Sequence, residues 1–267
     1  MICGDIIQSE ISITRLHKSY PKNNGQKTEV LKHFSLDVSR GEVVCIFGPN
    51  SCGKSTLLHI LAGLEPFDSG SVLIGGKRPY DAKAGFVFQD YNASLFPWRS
   101  ALGNVMYALE CNGVQRKSAF NKAAAMLARV GLSGYANKYP YELSGGMRQR
   151  ISIARALAFE PDVLLLDEPF SALDYDTRLR MEEELLQLLS QNRVTTICVS
   201  HDVDEAVFLA DRVIVLSPQP ASIHGVVEID LPKPRNSETR SSQRFLELRN
   251  RVVGLYRHQT LRKESIP

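Results

Sequence analysis

The chain has 267 residues and 29.8 kDa, enough for one large domain, or for such a domain carrying a smaller insertion. Hydrophobic residues make up 43% and charged residues 23%, and apolar runs such as 163–166 are far too short to span a bilayer, so any membrane role is peripheral. The net charge of +3 is unevenly placed: from Pro232 onward nine Lys/Arg stand against three Glu, leaving the remainder about three units negative and without a broad basic track for nucleic acid.

The start, MICGDIIQSE, lacks a basic segment followed by an apolar stretch, so cytoplasmic residence is expected. Alternation at Ile11, Ile13 and Leu16 predicts a first strand, and Leu36 with Val38 a second, with YPKNNGQK as the polar turn region between them. Residues 43–47 form a compact β-forming run, followed at once by GPNSCGKST and by the helix-forming LLHILAGL. Further short apolar runs at 72–74, 85–88, 163–166, 195–199 and 212–216 read as strands covered on both faces and separated by helices, which predicts an α/β core with a mixed sheet.

Between these, residues 91–155 change to helix-like segments, with NKAAAMLARVGL ending at Gly131 and SGGMRQRISIARALA beginning near two glycines. This stretch is expected to be a helical subdomain inserted into a domain spanning 1–235. Residues 236–267 form a basic tail whose Phe245, Leu248, Val252 and Leu255 recur at helical spacing, one apolar face packed on its own domain. The tail's charge suits either an anionic membrane surface or plain solvation. The five cysteines (Cys3, Cys45, Cys52, Cys111, Cys198) show neither metal-ligand pairing nor scaffold spacing and are expected to be reduced thiols.

The run Gly48, Pro49, Asn50, Ser51, Cys52, Gly53, Lys54, Ser55 fits GxxxxGK[ST] between a predicted strand and a predicted helix. Such a P-loop turns backbone N–H groups toward phosphate oxygens, and the following helix start adds a favourable field. Lys54 is expected to reach the β/γ-phosphates, Ser55 to present its hydroxyl to Mg2+, and Thr56 to add a phosphate contact. This motif alone leaves kinases, GTPases and ATPases open. At the end of the apolar run 163–166 stand Asp167 and Glu168, where ligands collect at strand ends of parallel sheets. Asp167 is suited to organise Mg2+ through water, and Glu168 to polarise an attacking water.

Upstream of that pair, Leu143-Ser144-Gly145-Gly146-Met147-Arg148-Gln149-Arg150 resembles the signature of the ABC transporter ATPase family. The resemblance covers roughly residues 11–230 and implies a P-loop NTPase core with an inserted helical signature subdomain, using ATP and Mg2+. It also implies that Ser144, Gly145 and Gly146 face the phosphate loop of a second ATPase subunit, in a dimer, homodimer or heterodimer, that closes on two ATP molecules. Gln89 resembles the Q-loop residue that senses metal and attacking water, Ser171-Ala172-Leu173-Asp174 the D-loop, and His201 the switch histidine at the γ-phosphate. Tyr20 resembles the aromatic residue that stacks on adenine. Two positions depart from the pattern: Met147 stands where glutamine is common, and Ser51 where glycine is common, which touches local backbone freedom.

A finer resemblance, to the nitrate/sulfonate/taurine importer branch, rests on Phe96-Pro97-Trp98, on His201-Asp202-Val203-Asp204-Glu205-Ala206, and on LPKPR before the basic tail. It implies a peripheral subunit at the cytoplasmic face of the membrane, a multispanning permease docking near 89–98, and an extracytoplasmic solute-binding protein that selects a small anionic or zwitterionic cargo. The alternatives are a soluble ABC ATPase of nucleic-acid repair or translation, and a non-catalytic ATP-dependent dimer module. The chain has no long coiled-coil insertion and one motif set, and keeps Glu168 and His201, which speak against both. No nucleic-acid partner is expected.

Overall fold

The computed structural model describes residues 9–22, 25–90, 94–171 and 173–264, with side chains throughout except at 192 and 258–264. Two sheets organise it. Strands β1 (Ser9–Pro21), β2 (Lys27–Ser39) and β4 (Ser69–Ile74) form an antiparallel sheet with β1 in the centre. The predicted alternation holds at Ile11 and Ile13, then slips at a bulge before Leu16, where Arg15 adopts φ 47°.

The second sheet runs in the order β5 (Ala84–Val87), β6 (Val163–Asp167), β7 (Thr195–Ser200), β3 (Val43–Phe47), β8 (Arg212–Leu216), β9 (Ile223–Glu228). Its first five strands are parallel and β9 returns antiparallel to β8, so the sheet is mixed, as expected. Every residue of β3, β6 and β7 is buried, because apolar layers cover both faces. One layer joins the three-stranded sheet and helix α1 (Lys54–Leu61); the other receives Met181 and Leu185 of α5 (Tyr175–Asn192), Ala206 to Leu209 of α6 (Val203–Leu209), and the tail.

Helices α2 (Ala101–Cys111), α3 (Arg116–Arg129) and α4 (Gly145–Ala158) fill the stretch read as helical and share a separate apolar cluster, in which Val105, Leu127 and Ile151 are fully buried. Helix α4 runs three residues beyond the expected 155 and turns Ile153, Ala156 and Leu157 toward the sheet, so it belongs to both layers. Residues 91–93, the expected beginning of this stretch, lie outside the described residues.

The tail divides into a short α7 (Ser237–Ser241) and a long α8 (Gln243–Glu264). Phe245, Leu248 and Val252 are buried as the spacing indicates. Its charge is less available than the sequence suggests: Arg240 pairs with Glu182, Arg244 with Asp230 and Arg249 with Asp204. Cys45, Cys52 and Cys198 are buried free thiols and Cys111 an exposed one; Cys3 lies outside the described residues.

Candidate functional site

Strands β3, β6 and β7 are neighbours, and their C-terminal ends put the residues after Phe47, Leu166 and Ser200 side by side. The first of these connections is the phosphate loop. Gly53 caps α1 at φ 116°, and a Cβ there would lie 2.7 Å from Val30 Cγ1, so glycine is required on both conformational and steric grounds. Ser51 takes φ 60°, the left-handed conformation that glycine adopts freely; the departure from the family pattern therefore keeps the backbone path at a cost in strain. Lys54 is only 6% exposed, and its Nζ donates to the carbonyls of Gly48 (2.9 Å) and Pro49 (2.8 Å), which holds the ammonium across the loop.

The second connection carries the acids. Asp167 ends β6 at 5% exposure; burial pushes its carboxyl upward, and a hydrogen bond with the Ser55 hydroxyl opposes that rise. Glu168 follows at φ 48°, its N–H donating to Val199 O at 3.0 Å and its carbonyl accepting from Ser171 Oγ at 3.0 Å. Its Oε2 accepts from Gln89 Nε2 at 3.0 Å and lies 3.2 Å from His201 Nδ1.

These groups share one cavity of about 460 Å³, with Asn50, Ser51, Gly53, Lys54, Ser55 and Thr56 on one wall and Gln89, Glu168 and His201 on another. Val30, from β2, also lines it and carries no signal in the sequence. An adjoining cavity of about 360 Å³ shares Ser55 and Gln89 and adds Asp167. Oxygen donors from a hydroxyl, an amide and a single carboxylate suit Mg2+, which keeps waters and phosphate oxygens in its shell and needs no all-protein cage. Among the described residues no cluster of three or more His, Cys, Asp or Glu forms such a cage.

Gly48, Pro49 and Cys52 do not line the cavity; Cys52 is 1% exposed, and burial raises its thiol pKa, which keeps the sulfur protonated and poorly nucleophilic. Tyr20 does not line the cavity; its ring is partly exposed with the Lys18 ammonium 4.6 Å away. Nor do Ser144, Gly145 and Gly146. Ser144 caps α4 by accepting from Met147 N at 3.3 Å and is exposed, while Gly145 and Gly146 are half-buried. Met147 is half-buried against the helical cluster. Asp174 caps α5 by accepting from Thr177 N, while Ala172 lies outside the described residues.

Gln149 and Glu205 lie inside the signature and switch motifs but are not among the site residues expected from the sequence. Gln149 is fully buried and donates to the Pro169 carbonyl, one residue beyond Glu168. Glu205 is 5% exposed behind the His201 turn. Their one sequence signal is a polar residue on the buried side of a helix.

The family description "ABC transporter" matches residues 31–171, more than half of the chain. The chain belongs to the ABC transporter family. An uncharacterized ABC transporter ATP-binding protein of Methanocaldococcus jannaschii is 40% identical over 260 residues, covering 97% of this chain and 95% of that protein. The aliphatic sulfonates import ATP-binding protein SsuB of Bacillus thuringiensis is 40% identical over 258 residues, covering 96% and 99%.

Two solved ABC cassettes share the fold. The dimeric post-hydrolysis state of an ATP-binding cassette bound to ADP and Pi superposes with a TM-score of 0.74 at 30% identity, covering 82% of this chain and 98% of that one. The dimeric structure of a bacterial ABC transporter cassette gives 0.75 at 31% identity with the same coverage. Membership in the ABC transporter family makes the chain an ATP-binding P-loop ATPase of a transport system.

Proposed function

We propose that the chain is the Mg2+-dependent, ATP-hydrolysing subunit of an importer for small anionic or zwitterionic solutes, with aliphatic sulfonates the best supported cargo. The observation that carries the catalytic reading is the Glu168 carboxylate, held between Gln89 and His201 in the phosphate-loop cavity. The cargo reading rests on the SsuB relatives, which match nearly end to end at about 40% identity.

In this reading the backbone N–H groups of 50–53 and the start of α1 bind the β-phosphate, and Lys54 exchanges its loop carbonyls for β/γ-oxygens. Ser55, Asp167 and Gln89 would hold Mg2+, which would supply positive charge to neutralise the phosphates. Glu168 orients the attacking water, and His201 positions Glu168 and meets the γ-phosphate. Tyr20 stacks on adenine. Ser144 is exposed at the start of α4; with Gly145 and Gly146 it completes the site of a second copy, and the functional unit is a homodimer whose closure follows nucleotide state.

Residues 1–235 act as the nucleotide-binding domain with 91–155 as its helical insertion, and 236–267 buttress it. The permease docks where Trp98 is 71% exposed, its ring 5.4 Å from that of Phe96, which in turn lies 4.7 Å from the Tyr107 ring. Among the described residues no helix is long and apolar enough to cross a membrane, which fits a peripheral subunit on the cytoplasmic face. An extracytoplasmic binding protein then selects the cargo.

Two measurements test this. Magnesium-dependent phosphate release by the assembled complex is expected to be lost in Glu168→Gln; equal rates would sink the water-orienting role. Affinity purification from membranes is expected to recover a multispanning permease and a solute-binding protein, and recovery of nucleic-acid machinery alone would overturn the transport reading.

A further inference from the structure

A cavity of about 600 Å³, larger than the one at the phosphate loop, opens at the other end of β3. Val43, the first residue of that strand, lines it, whereas the phosphate loop follows the last, so about 13 Å of strand separates the two. Its other walls come mainly from one flank of α5 and from the segment Lys233-Pro234-Arg235. On α5 the lining positions 180, 183, 184, 187 and 190 recur at three and four, which keeps them on one face. Val43, Leu186, Leu189 and Pro234 supply apolar surface, and the volume is that of an ordinary small-molecule site.

Two lining residues of opposite charge each keep a buried polar atom without a hydrogen-bond partner among the described residues. The Arg235 side chain is 1% exposed; its Nη1 donates to the carbonyls of Phe208 (2.8 Å) and Ala210 (2.7 Å), and its Nη2 lies 3.8 Å from Asp211 Oδ1, but its Nε is unpaired. On the α5 wall, Glu184 Oε2 is likewise buried and unpaired. Burial raises the Glu184 pKa against the Arg150 and Arg180 charges, and burial lowers that of Arg235 against Asp211. An acid and a base within reach of each other would pair; Arg235 pairs with Asp211 instead, and so does Lys233 at 2.6 Å. A buried donor and a buried acceptor left open on separate walls of one cavity call for something between them.

We propose that this cavity binds a small aliphatic zwitterion, an anionic head and an ammonium joined by an apolar chain. The head accepts from Arg235 Nε, the ammonium donates to Glu184 Oε2, and the chain lies on Val43, Leu189 and Pro234. A simple organic anion leaves Glu184 unsatisfied and a simple amine leaves Arg235 unsatisfied, so neither half is enough. An arriving ammonium also draws the Glu184 pKa back down, which makes the pairing mutual. With the length of β3 between them, the ligand does not meet the phosphates of a nucleotide. The site is independent of which solute is transported.

The probe is 6-aminohexanoate, with hexanoate and hexylamine as its two halves, each titrated calorimetrically into the full-length chain. The zwitterion is expected to bind saturably at one molecule per chain, and each half at least about tenfold more weakly. A non-hydrolysable ATP analogue with Mg2+ should leave that affinity within about threefold. Glu184→Gln keeps the shape and removes the charge; it is expected to weaken 6-aminohexanoate about tenfold and to leave hexanoate within about twofold. Arg235→Lys is expected to weaken 6-aminohexanoate and hexanoate alike, because it alters the donor for the anionic head. Arg235 also holds two backbone carbonyls, so where a thermal melt shows that this variant does not fold, Glu184→Gln decides alone. No saturable binding up to about 10 mM would overturn the proposal. So would a half that binds as well as the whole, an affinity untouched by Glu184→Gln, or displacement of the probe by nucleotide.

Discussion

The Gln89 amide donates to Glu168 Oε2 at 3.0 Å, and His201 Nδ1 approaches that same oxygen at 3.2 Å. Two side chains from separate loops therefore orient one carboxylate. If both act by positioning it, their effects on phosphate release converge. Gln89→Ala and His201→Ala are each expected to lower the rate by about 10- to 100-fold, within the range ordinary for an acid–base group. The double variant is expected to lose far less than the product, because residues acting as a unit are non-additive. Single-turnover phosphate release on all three separates this from independent roles, for which the losses multiply.

Neighbouring positions of the phosphate loop should respond in opposite directions. Ser51→Gly relieves a left-handed serine, and after the entropy glycine adds to the unfolded chain the net gain is about 0.5 kcal/mol. Gly53→Ala forces a Cβ to 2.7 Å from Val30 Cγ1 at φ 116° and is expected to cost about 2 kcal/mol, with loss of nucleotide binding. Thermal melts with and without nucleotide read both; a destabilising Ser51→Gly would mean that the hydroxyl, not the backbone, matters at this position.

Local chemistry made the strand–loop–helix at 43–61 readable, since the buried run, the glycines and the lysine sit within a few turns of chain. The buried strands β6 and β7 were readable for the same reason. What escaped depends on partners distant in sequence. Strand β9 exists as a strand because β8 offers it an edge, and its burial is too irregular to announce itself. The tail's arginines read as free charge because Glu182, Asp230 and Asp204 lie elsewhere in the chain. Val30 faces the phosphate loop only because the antiparallel sheet folds over it. In the same way, the burial of Gln149 and Glu205 depends on segments distant in sequence that pack over them.

Glu182 is 1% exposed and is met by Arg240, whose guanidinium lies 3.8 Å over the Phe208 ring and whose pKa burial draws down to about 10. Removing one partner of such a pair strands the other. Arg240→Met is expected to cost about 3 kcal/mol, while the double variant with Glu182→Leu recovers most of it. Urea midpoints of the two variants test this: an unchanged midpoint in Arg240→Met would show that Arg178, 4.0 Å from Glu182, already compensates the charge.

Glu205 sits at the start of α6, just after His201, and burial followed by the nearby Asp202 charge raises its pKa to about 8, with a Ser200 hydrogen bond opposing. The Cys198 thiol lies 3.9 Å from its Oε1. In the unfolded chain a glutamate titrates near 4.3. Between these values the native state keeps a proton that the unfolded state gives up, so the native state binds more protons and stability falls as pH rises. The contribution is complete below about pH 4.5, declines by at most about 1.4 kcal/mol per unit, and levels off above pH 8. Glu205→Gln keeps the shape and removes the titration, so the variant should lose about 2 kcal/mol less than the native chain between pH 6 and pH 8. Denaturant melts across that window decide it, and parallel slopes would mean that Glu205 is already ionised when folded. The same charge, once formed, repels Asp202, which caps α6 at the Asp204 and Glu205 amides directly beside His201. Phosphate release should therefore decline above pH 8 in the native chain and hold in Glu205→Gln, joining the stability effect to the histidine that α6 positions.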